Sequence, residues 1–167
     1  MPADETILPA ASAPETENDA GIKPSKRRDN RATAMQFLYM WEANPGTDLD
    51  EGLRLFFTTQ EKPREYYSFA EELVRGARGR LPEIDELITK HAHNWAFNRI
   101  ARVDLAILRL AIYELLGRRD IPPVVTINEA IELGKVYSTP DSRRFLNGIL
   151  DKLKDSLDRP SRTAAED

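Results

Sequence analysis

One segment near the middle of the chain, residues 103–116, constrains the fold more than any other. Its sequence, VDLAILRLAIYELL, places apolar side chains on nearly every side of a helix instead of along a single stripe. A helix of this kind is stable in water only when other elements cover most of its surface. The sequence therefore predicts that residues 103–116 form the central helix of a packed core.

Most other segments have helical periodicity, since their apolar residues recur three or four positions apart. The predicted helices run from Arg28 to Ala43 and from Leu49 to Thr58, then begin at Pro63, Pro82, Val103 and about Val125, with a last one after the N-cap Thr139. Gly76 and Gly79 are expected to fray the third helix. Residues 124–127 are the one β-branched run, so we expect an all-α fold of about seven helices.

Both ends of the chain differ in composition from the core. Residues 1–25 combine four prolines with five acidic residues and one lysine, and they account for the whole net charge of −4. Such a segment lacks the apolar side chains needed to pack, and so do residues 158–167. We expect a disordered acidic tail over 1–25, one helical domain over 26–157 and a disordered tail over 158–167.

Composition and motifs argue against several functional classes. The chain has no cysteine, which excludes disulfides and thiolate metal sites and fits a reducing cytoplasm. No apolar run is long enough to span a membrane. The two histidines, His91 and His93, would diverge on a helix, and the sequence contains no serine-nucleophile motif or phosphate-binding glycine loop. We therefore expect no enzyme, metal site or cofactor.

A basic cluster lies at the start of the first predicted helix. On a helical projection Arg27, Arg28 and Arg31 share a sector of roughly 100°, and Asp29 points outside it. Cations at a helix N-terminus oppose its dipole, which argues against a role in stability, and we expect all three arginines to be exposed. Two interpretations stay open: a solvated basic helix end, or a phosphate-binding surface with Tyr39 as a stacking platform.

Four further residues admit a structural and a functional interpretation. Asp104 and Asp141 fall at or near predicted helix starts, where a carboxylate commonly caps the helix. Tyr137 and Phe145 fall at apolar-periodic positions, so on periodicity alone they belong to the core or its rim. Spacing does not decide between these structural roles and contact with a ligand.

Several ordered blocks of sequence resemble the NusB family of bacterial transcription antitermination factors. The blocks are Arg27-Arg28 through Arg31, residues 36–42 (QFLYMWE), Trp95, residues 103–115 (VDLAILRLAIYEL), Ile121-Pro122, residues 127–135 (INEAIELGK) and Asp141-Ser142 through residues 145–151 (FLNGILD). They follow the order and register of the family over residues 26–153. A match of this extent is specific to the family.

The resemblance implies an all-α, NusB-like antitermination fold in two helical subdomains, without enzymatic activity. It also implies binding of single-stranded boxA RNA in ribosomal RNA transcripts together with NusE, a small-subunit ribosomal protein. The complex would join RNA polymerase in the cytoplasm and suppress premature termination. By matched position, the RNA-binding residues are Arg27, Arg28, Arg31, Tyr39, Tyr137, Asp141 and Phe145, and Asp104 faces the ribosomal protein.

Two departures and two alternatives accompany this expectation. Asp29 interrupts the basic run, and Ala32 stands where the family commonly has a glutamate. The same fold also occurs as the RNA-binding domain of ribosomal RNA cytosine methyltransferases, and a stand-alone relative of that domain is one alternative. The other is a protein scaffold that does not bind RNA. The sequence leaves open whether two copies of the chain form a homodimer.

Overall fold

A computed structural model describes residues 25–93 and 95–164 of the chain. Within these residues there are seven α-helices and no β-strand, which confirms the predicted all-α fold. The helices are α1 (Lys26–Ala43), α2 (Leu49–Thr58), α3 (Ser68–Gly79), α4 (Leu81–His91), α5 (Arg102–Gly117), α6 (Pro123–Tyr137) and α7 (Pro140–Ser156). Short 3-10 turns at Arg64–Tyr67 and Phe97–Arg99 precede α3 and α5. No helix in this part of the chain is long and apolar enough to cross a membrane.

Side-chain caps define the starts of the first and last helices. The Ser25 hydroxyl accepts a hydrogen bond from the Arg28 amide at 3.1 Å and caps α1. Thr139 caps α7 as predicted, because its hydroxyl accepts a hydrogen bond from the Ser142 amide at 3.2 Å. The rest of the predicted acidic tail, residues 1–24, lies outside the described residues.

Helix α5 is the central element of the fold, as its composition predicts. Its side chains from Leu105 to Ile112 are buried, and those of Ile107 and Leu108 are fully enclosed. Helices α1, α3, α4, α6 and α7 all pack against it, and the buried residues form one continuous core. Burying each large aliphatic side chain stabilises the fold by about 1.5–3 kcal/mol. A helix that is apolar on most sides is stable only in such a position.

Helix α3 approaches α5 closely at one glycine. The helix begins at Ser68, later than the predicted start at Pro63, and it continues through Gly79. A Cβ atom on Gly76 would lie 1.9 Å from Cζ of Tyr113 on α5. The expectation that Gly76 frays the helix is therefore wrong, because its missing side chain lets the tyrosine ring lie against the α3 backbone.

Two residues after α7, within the predicted tail over 158–167, contact the helices; residues 165–167 lie outside the described residues. The Arg159 guanidinium donates a hydrogen bond to the Leu115 carbonyl at 2.9 Å, at the C-terminal end of α5. The Val124 amide donates to the Ser161 carbonyl at 3.0 Å. Carbonyl groups at the end of a helix lack intrahelical partners and favour a nearby cation. These contacts hold Arg159 and Ser161 on the body of the protein.

We predict that Gly76→Ala lowers the free energy of unfolding by about 1–3 kcal/mol, because the added methyl group would overlap the Tyr113 ring. Gly79→Ala is the matched control on the same helix, since no described atom lies within 4 Å of its Cβ position. That substitution should be neutral or stabilising by up to about 1 kcal/mol. Urea denaturation followed by circular dichroism measures both variants. Equal effects would contradict the packing role of Gly76.

Candidate nucleic-acid interface

The predicted basic cluster is divided between the surface and the core. Arg27 and Arg28, at the start of α1, are exposed as expected. The Arg28 guanidinium donates two hydrogen bonds of 3.0 Å to the Glu129 carboxylate on α6, and its side chain remains 52% exposed. The guanidinium carbon of Arg27 lies 5.3 Å from the centroid of the Phe69 ring. Neighbouring side chains therefore orient both cations, which solvent still reaches.

Arg31 is buried, and the expectation that it is exposed beside the other two arginines is wrong. Its guanidinium donates to the two carboxylate oxygens of Glu114 on α5 at 2.5 and 3.0 Å, and these side chains are 5% and 1% exposed. The Thr126 hydroxyl on α6 donates a further hydrogen bond to Glu114 at 2.9 Å. Because α1 turns Arg31 toward α5, along with Ala34 and Leu38, this arginine joins helices and does not face solvent.

A further arginine, which the sequence analysis missed, lies beside the same ring as Arg27. The guanidinium carbon of Arg118, just after α5, is 5.3 Å from the centroid of the Phe69 ring. Arg118 forms ion pairs with Glu72 and Asp120, both at 2.9 Å, and its hydrogen bond lowers the pKa of Asp120 to about 2. In the sequence Phe69 is indistinguishable from an ordinary core residue, so periodicity could not reveal these contacts.

Asp29, which interrupts the basic run, is directed toward a tyrosine. Burial, followed by a hydrogen bond with Asp29, raises the pKa of Tyr66. Lys26 and Lys62 place their ammonium groups 5.1 and 4.9 Å from the centroid of the same ring. Within the described part of the chain Asp29 forms no salt bridge with an arginine. This agrees with the helical projection, which places Asp29 outside the arginine sector.

Side chains from α1 and α6 meet along one edge of the molecule. Arg28 contacts Glu129, and eight residues further along both helices the Gln36 amide donates a hydrogen bond to the Tyr137 hydroxyl at 3.0 Å. The equal spacing shows that the helices run in the same direction over about 12 Å. Tyr39 projects from nearly the same side of α1 as Arg28, three turns later, and is half-buried like Tyr137. We call this the α1–α6 edge.

Asp104 and Asp141 lie in different environments, and neither is an N-cap. Asp104, in the first turn of α5, is buried and accepts a hydrogen bond from the Ser138 hydroxyl at 2.7 Å. Because Ser138 directly follows Tyr137, this bond anchors the connection between α6 and α7. Asp141 is exposed in the first turn of α7, where Thr139 is the N-cap. A ligand can therefore reach the Asp141 carboxylate directly.

Phe145 lies at the rim of the core, one turn after Asp141. Its ring centroid is 5.4 Å from that of Trp95, and the two rings are tilted by 55°. Phe145 is half-buried, whereas Trp95 is 54% exposed. Phe145 lies on α7, the helix that follows Tyr137 and the end of the α1–α6 edge in the chain.

The fold and these surfaces define an all-helical binding protein. Exposed arginines, half-buried tyrosines and an exposed carboxylate lie on α1, α6 and α7. The described residues include no group of three or more histidine, cysteine, aspartate or glutamate side chains that could hold a metal ion. Arginines and aromatic rings in this arrangement suit phosphates and unpaired bases.

Comparisons with known proteins identify the family. A sequence model of the NusB family matches residues 28–155. The transcription antitermination protein NusB of Myxococcus xanthus is 40% identical over 137 residues, which cover 80% of this chain and 98% of that protein. The protein of the same name from Geobacter sulfurreducens is 45% identical over 131 residues, which cover 78% of this chain and 95% of that protein. The chain belongs to the NusB family.

Solved structures have the same fold. T. maritima NusB matches with a TM-score of 0.72 at 37% identity, covering 83% of this chain and 96% of that one. A chain in a crystal structure of the antitermination factors NusB and NusE in complex with double-stranded RNA has a TM-score of 0.69 at 27% identity, covering 79% of this chain and 98% of that one. Family membership places the protein among antitermination factors, which are not enzymes.

We predict that Glu114→Ala lowers the free energy of unfolding by about 3–5 kcal/mol, because it leaves the Arg31 charge buried without its partner. Glu129→Ala is the control: it breaks the pair with Arg28, whose side chain is 52% exposed and stays hydrated without its partner, so the loss should be only about 1 kcal/mol. Chemical denaturation of the two variants and the unsubstituted protein gives both values. A small loss of stability for Glu114→Ala would show that burial of Arg31 does not depend on its pair with Glu114.

Proposed function

We propose that this protein is a transcription antitermination factor that binds single-stranded boxA RNA of ribosomal RNA transcripts together with NusE. In this proposal the complex joins RNA polymerase in the cytoplasm and suppresses premature termination. Membership of the NusB family supports the role, and so does the structure of a related NusB with NusE and double-stranded RNA. The observation that carries the RNA-binding part is the α1–α6 edge, where the exposed Arg28 precedes the half-buried Tyr39 and Tyr137.

The proposed roles along this edge follow from side-chain chemistry. Arg27 and Arg28 bind phosphate groups, because a guanidinium donates paired hydrogen bonds to phosphate oxygens. Tyr39 and Tyr137 stack on bases, because unpaired bases expose flat faces to aromatic rings. Phosphate contacts give affinity and base contacts give selectivity. The edge combines the two kinds of group on one surface.

Glu129 controls how Arg28 engages RNA. The Arg28 guanidinium already donates two hydrogen bonds to this carboxylate, so a phosphate must share or displace it. Because water reaches the Arg28 side of this pair, the pair contributes only about 1 kcal/mol, and the exchange is inexpensive. Before RNA arrives, the pair holds the Arg28 guanidinium beside α6, where the phosphate binds.

The proposed surface continues onto α7. The exposed Asp141 carboxylate accepts hydrogen bonds from base amino groups, and Phe145 stacks on a base. Asp104 acts on the NusE side through the connection that it anchors, since its carboxylate is bonded to Ser138. Arg31 supports the surface from within by holding α1 on α5 and does not bind RNA.

We predict that the double variant Arg27→Ala/Arg28→Ala binds a labelled boxA-like RNA about tenfold or more weakly in fluorescence anisotropy, because two phosphate contacts are lost. The slope of log affinity against log salt should fall by about 1.4, at about 0.7 for each phosphate contact to a single strand. Arg54→Ala is the matched control: Arg54 makes a similar exposed pair with Glu51 on α2, at 2.6 and 3.0 Å. This variant should bind like the unsubstituted protein.

The same titration, repeated with NusE and with a shuffled RNA, separates the alternatives. Selective binding of boxA RNA that strengthens with NusE supports the antitermination function. If RNA stays unbound while NusE binds, the protein is a scaffold without an RNA-binding role. The burial of Arg31 and the pairing of Arg28 with Glu129 favour that second candidate, because they reduce the positive charge presented to RNA.

A further inference from the structure

A cleft separate from the α1–α6 edge lies between the end of α4 and α7. Its volume is about 170 Å³, and it is open to solvent. The side chains that give it chemical character are His91, His93, Trp95, Arg144, Phe145 and Lys152. Helix α4 ends at His91, so His93 lies beyond the helix and both histidines reach the same cleft. The divergence expected for two histidines on one helix does not apply here.

The cleft is electropositive. Among the described residues no carboxylate lines it, and neither Arg144 nor Lys152 forms a salt bridge. Burial lowers the pKa of His91, and the nearby charges of Lys90, His93 and Lys152 lower it further. Several basic groups thus disfavour the protonated form of the His91 imidazole, and no carboxylate in the cleft offsets their charge. An anion placed in the cleft would relieve this repulsion.

The carboxylate that directly precedes Lys152 on α7 is directed elsewhere, and among the described residues no salt bridge joins Arg144 or Lys152 to another acid of this helix. Asp151 precedes Lys152 in the chain, but its side chain accepts a hydrogen bond from Asn147 at 3.2 Å and lies 3.7 Å from the Lys154 ammonium group. The basic groups of the cleft are therefore left without an acidic partner from their own helix.

An exposed aromatic face borders the basic groups. Trp95 is 54% exposed and packs against Phe145 with 5.4 Å between ring centroids. Its backbone is fixed by a hydrogen bond of 3.0 Å from its amide to the Ala92 carbonyl. The exposed indole offers a stacking face to an unpaired base, and the neighbouring cations offer hydrogen-bond donors to the phosphate of that nucleotide.

Gly148 keeps the cleft open on its α7 side. No described atom lies within 4 Å of its Cβ position, so a side chain at this position would project into free space beside the cleft. Glycine inside a helix is destabilising relative to alanine. Its position in the wall gives a direct way to block the cleft without disturbing the packed core.

We propose that this cleft binds one nucleotide of single-stranded RNA, with the base stacked on Trp95 and the phosphate held by Arg144 and Lys152. The proposal rests on the proposed RNA-binding function and extends the RNA beyond the α1–α6 edge. The two surfaces are consecutive along the chain, because the exposed Asp141 lies on α7 between Tyr137 and Phe145, which lines the cleft. RNA that leaves Tyr137 along α7 therefore reaches it.

Tryptophan fluorescence tests the stacking directly. The chain has two tryptophans, and Trp41 lies elsewhere, with its ring 4.3 Å from the Arg78 guanidinium carbon. In the variant Trp41→Phe, addition of single-stranded RNA should quench the emission of Trp95. In the reciprocal variant Trp95→Phe, the emission of Trp41 should stay unchanged while anisotropy reports bound RNA. Circular dichroism checks that both variants are folded.

A charge placed in the wall tests the phosphate contact. Gly148→Glu should weaken RNA binding about tenfold, because the carboxylate repels the phosphate and fills the space beside Trp95. Gly79→Glu is the matched control, since no described atom lies within 4 Å of its Cβ position and it does not line the cleft. Gly148→Ala, which adds no charge, should bind RNA like the unsubstituted protein.

The outcomes distinguish this cleft from the wider proposal. If RNA binds but Trp95 emission and the affinity of Gly148→Glu are unchanged, the cleft assignment is overturned and the RNA-binding function stands. If no RNA binds to the unsubstituted protein, both proposals fail. If Trp95 responds to NusE and not to RNA, the cleft is a protein contact and the nucleotide assignment is overturned.

Discussion

The buried ion pair between Arg31 and Glu114 determines how α1 sits on the rest of the molecule. Apolar contacts are non-directional, so α1 could slide or rotate on an apolar α5 at modest cost. A guanidinium that must meet both oxygens of one buried carboxylate permits a single register, and Thr126 brings α6 to the same group. The exposed Arg28 and its neighbours take their position from this internal contact.

A second buried arginine, Arg109, joins α5 to α4 and to the end of α1. Arg109 donates to Asp85 on α4 at 2.9 and 2.8 Å and to Glu42 near the end of α1 at 2.7 Å, while its side chain is 6% exposed. The central helix is therefore apolar on most sides but carries three buried polar residues, Asp104, Arg109 and Glu114, each satisfied by particular partners. Desolvating these charges offsets much of their attraction, so their main effect is on register and less on net stability.

The helices and the core could be predicted from the sequence because they depend on local periodicity and caps, as at Thr139. The sequence could not show that Arg31 is buried while its neighbours in the cluster are exposed. Its partner lies 83 residues away, and on a helical projection Arg31 looks like the exposed arginines. One signal was available: Glu114 is an acid within a helix predicted to be buried, and a buried carboxylate requires a cation. The cleft was missed because the sequence analysis placed both histidines on one helix, whereas α4 ends at His91, and a difference of two residues at a helix end changes which side chains can meet.

This arrangement leaves the candidate RNA surface with less positive charge than its arginines suggest. Arg31 neutralises Glu114 inside the protein, Arg118 is paired with two carboxylates, and Arg28 shares its guanidinium with Glu129. Electrostatic attraction at long range is correspondingly modest, so selectivity must come from contacts at short range. Stacking on fixed aromatic rings and exchange of one carboxylate for a phosphate both act at that range. Contacts of this kind favour the matching strand over an unrelated strand, as the proposed selection of boxA RNA requires.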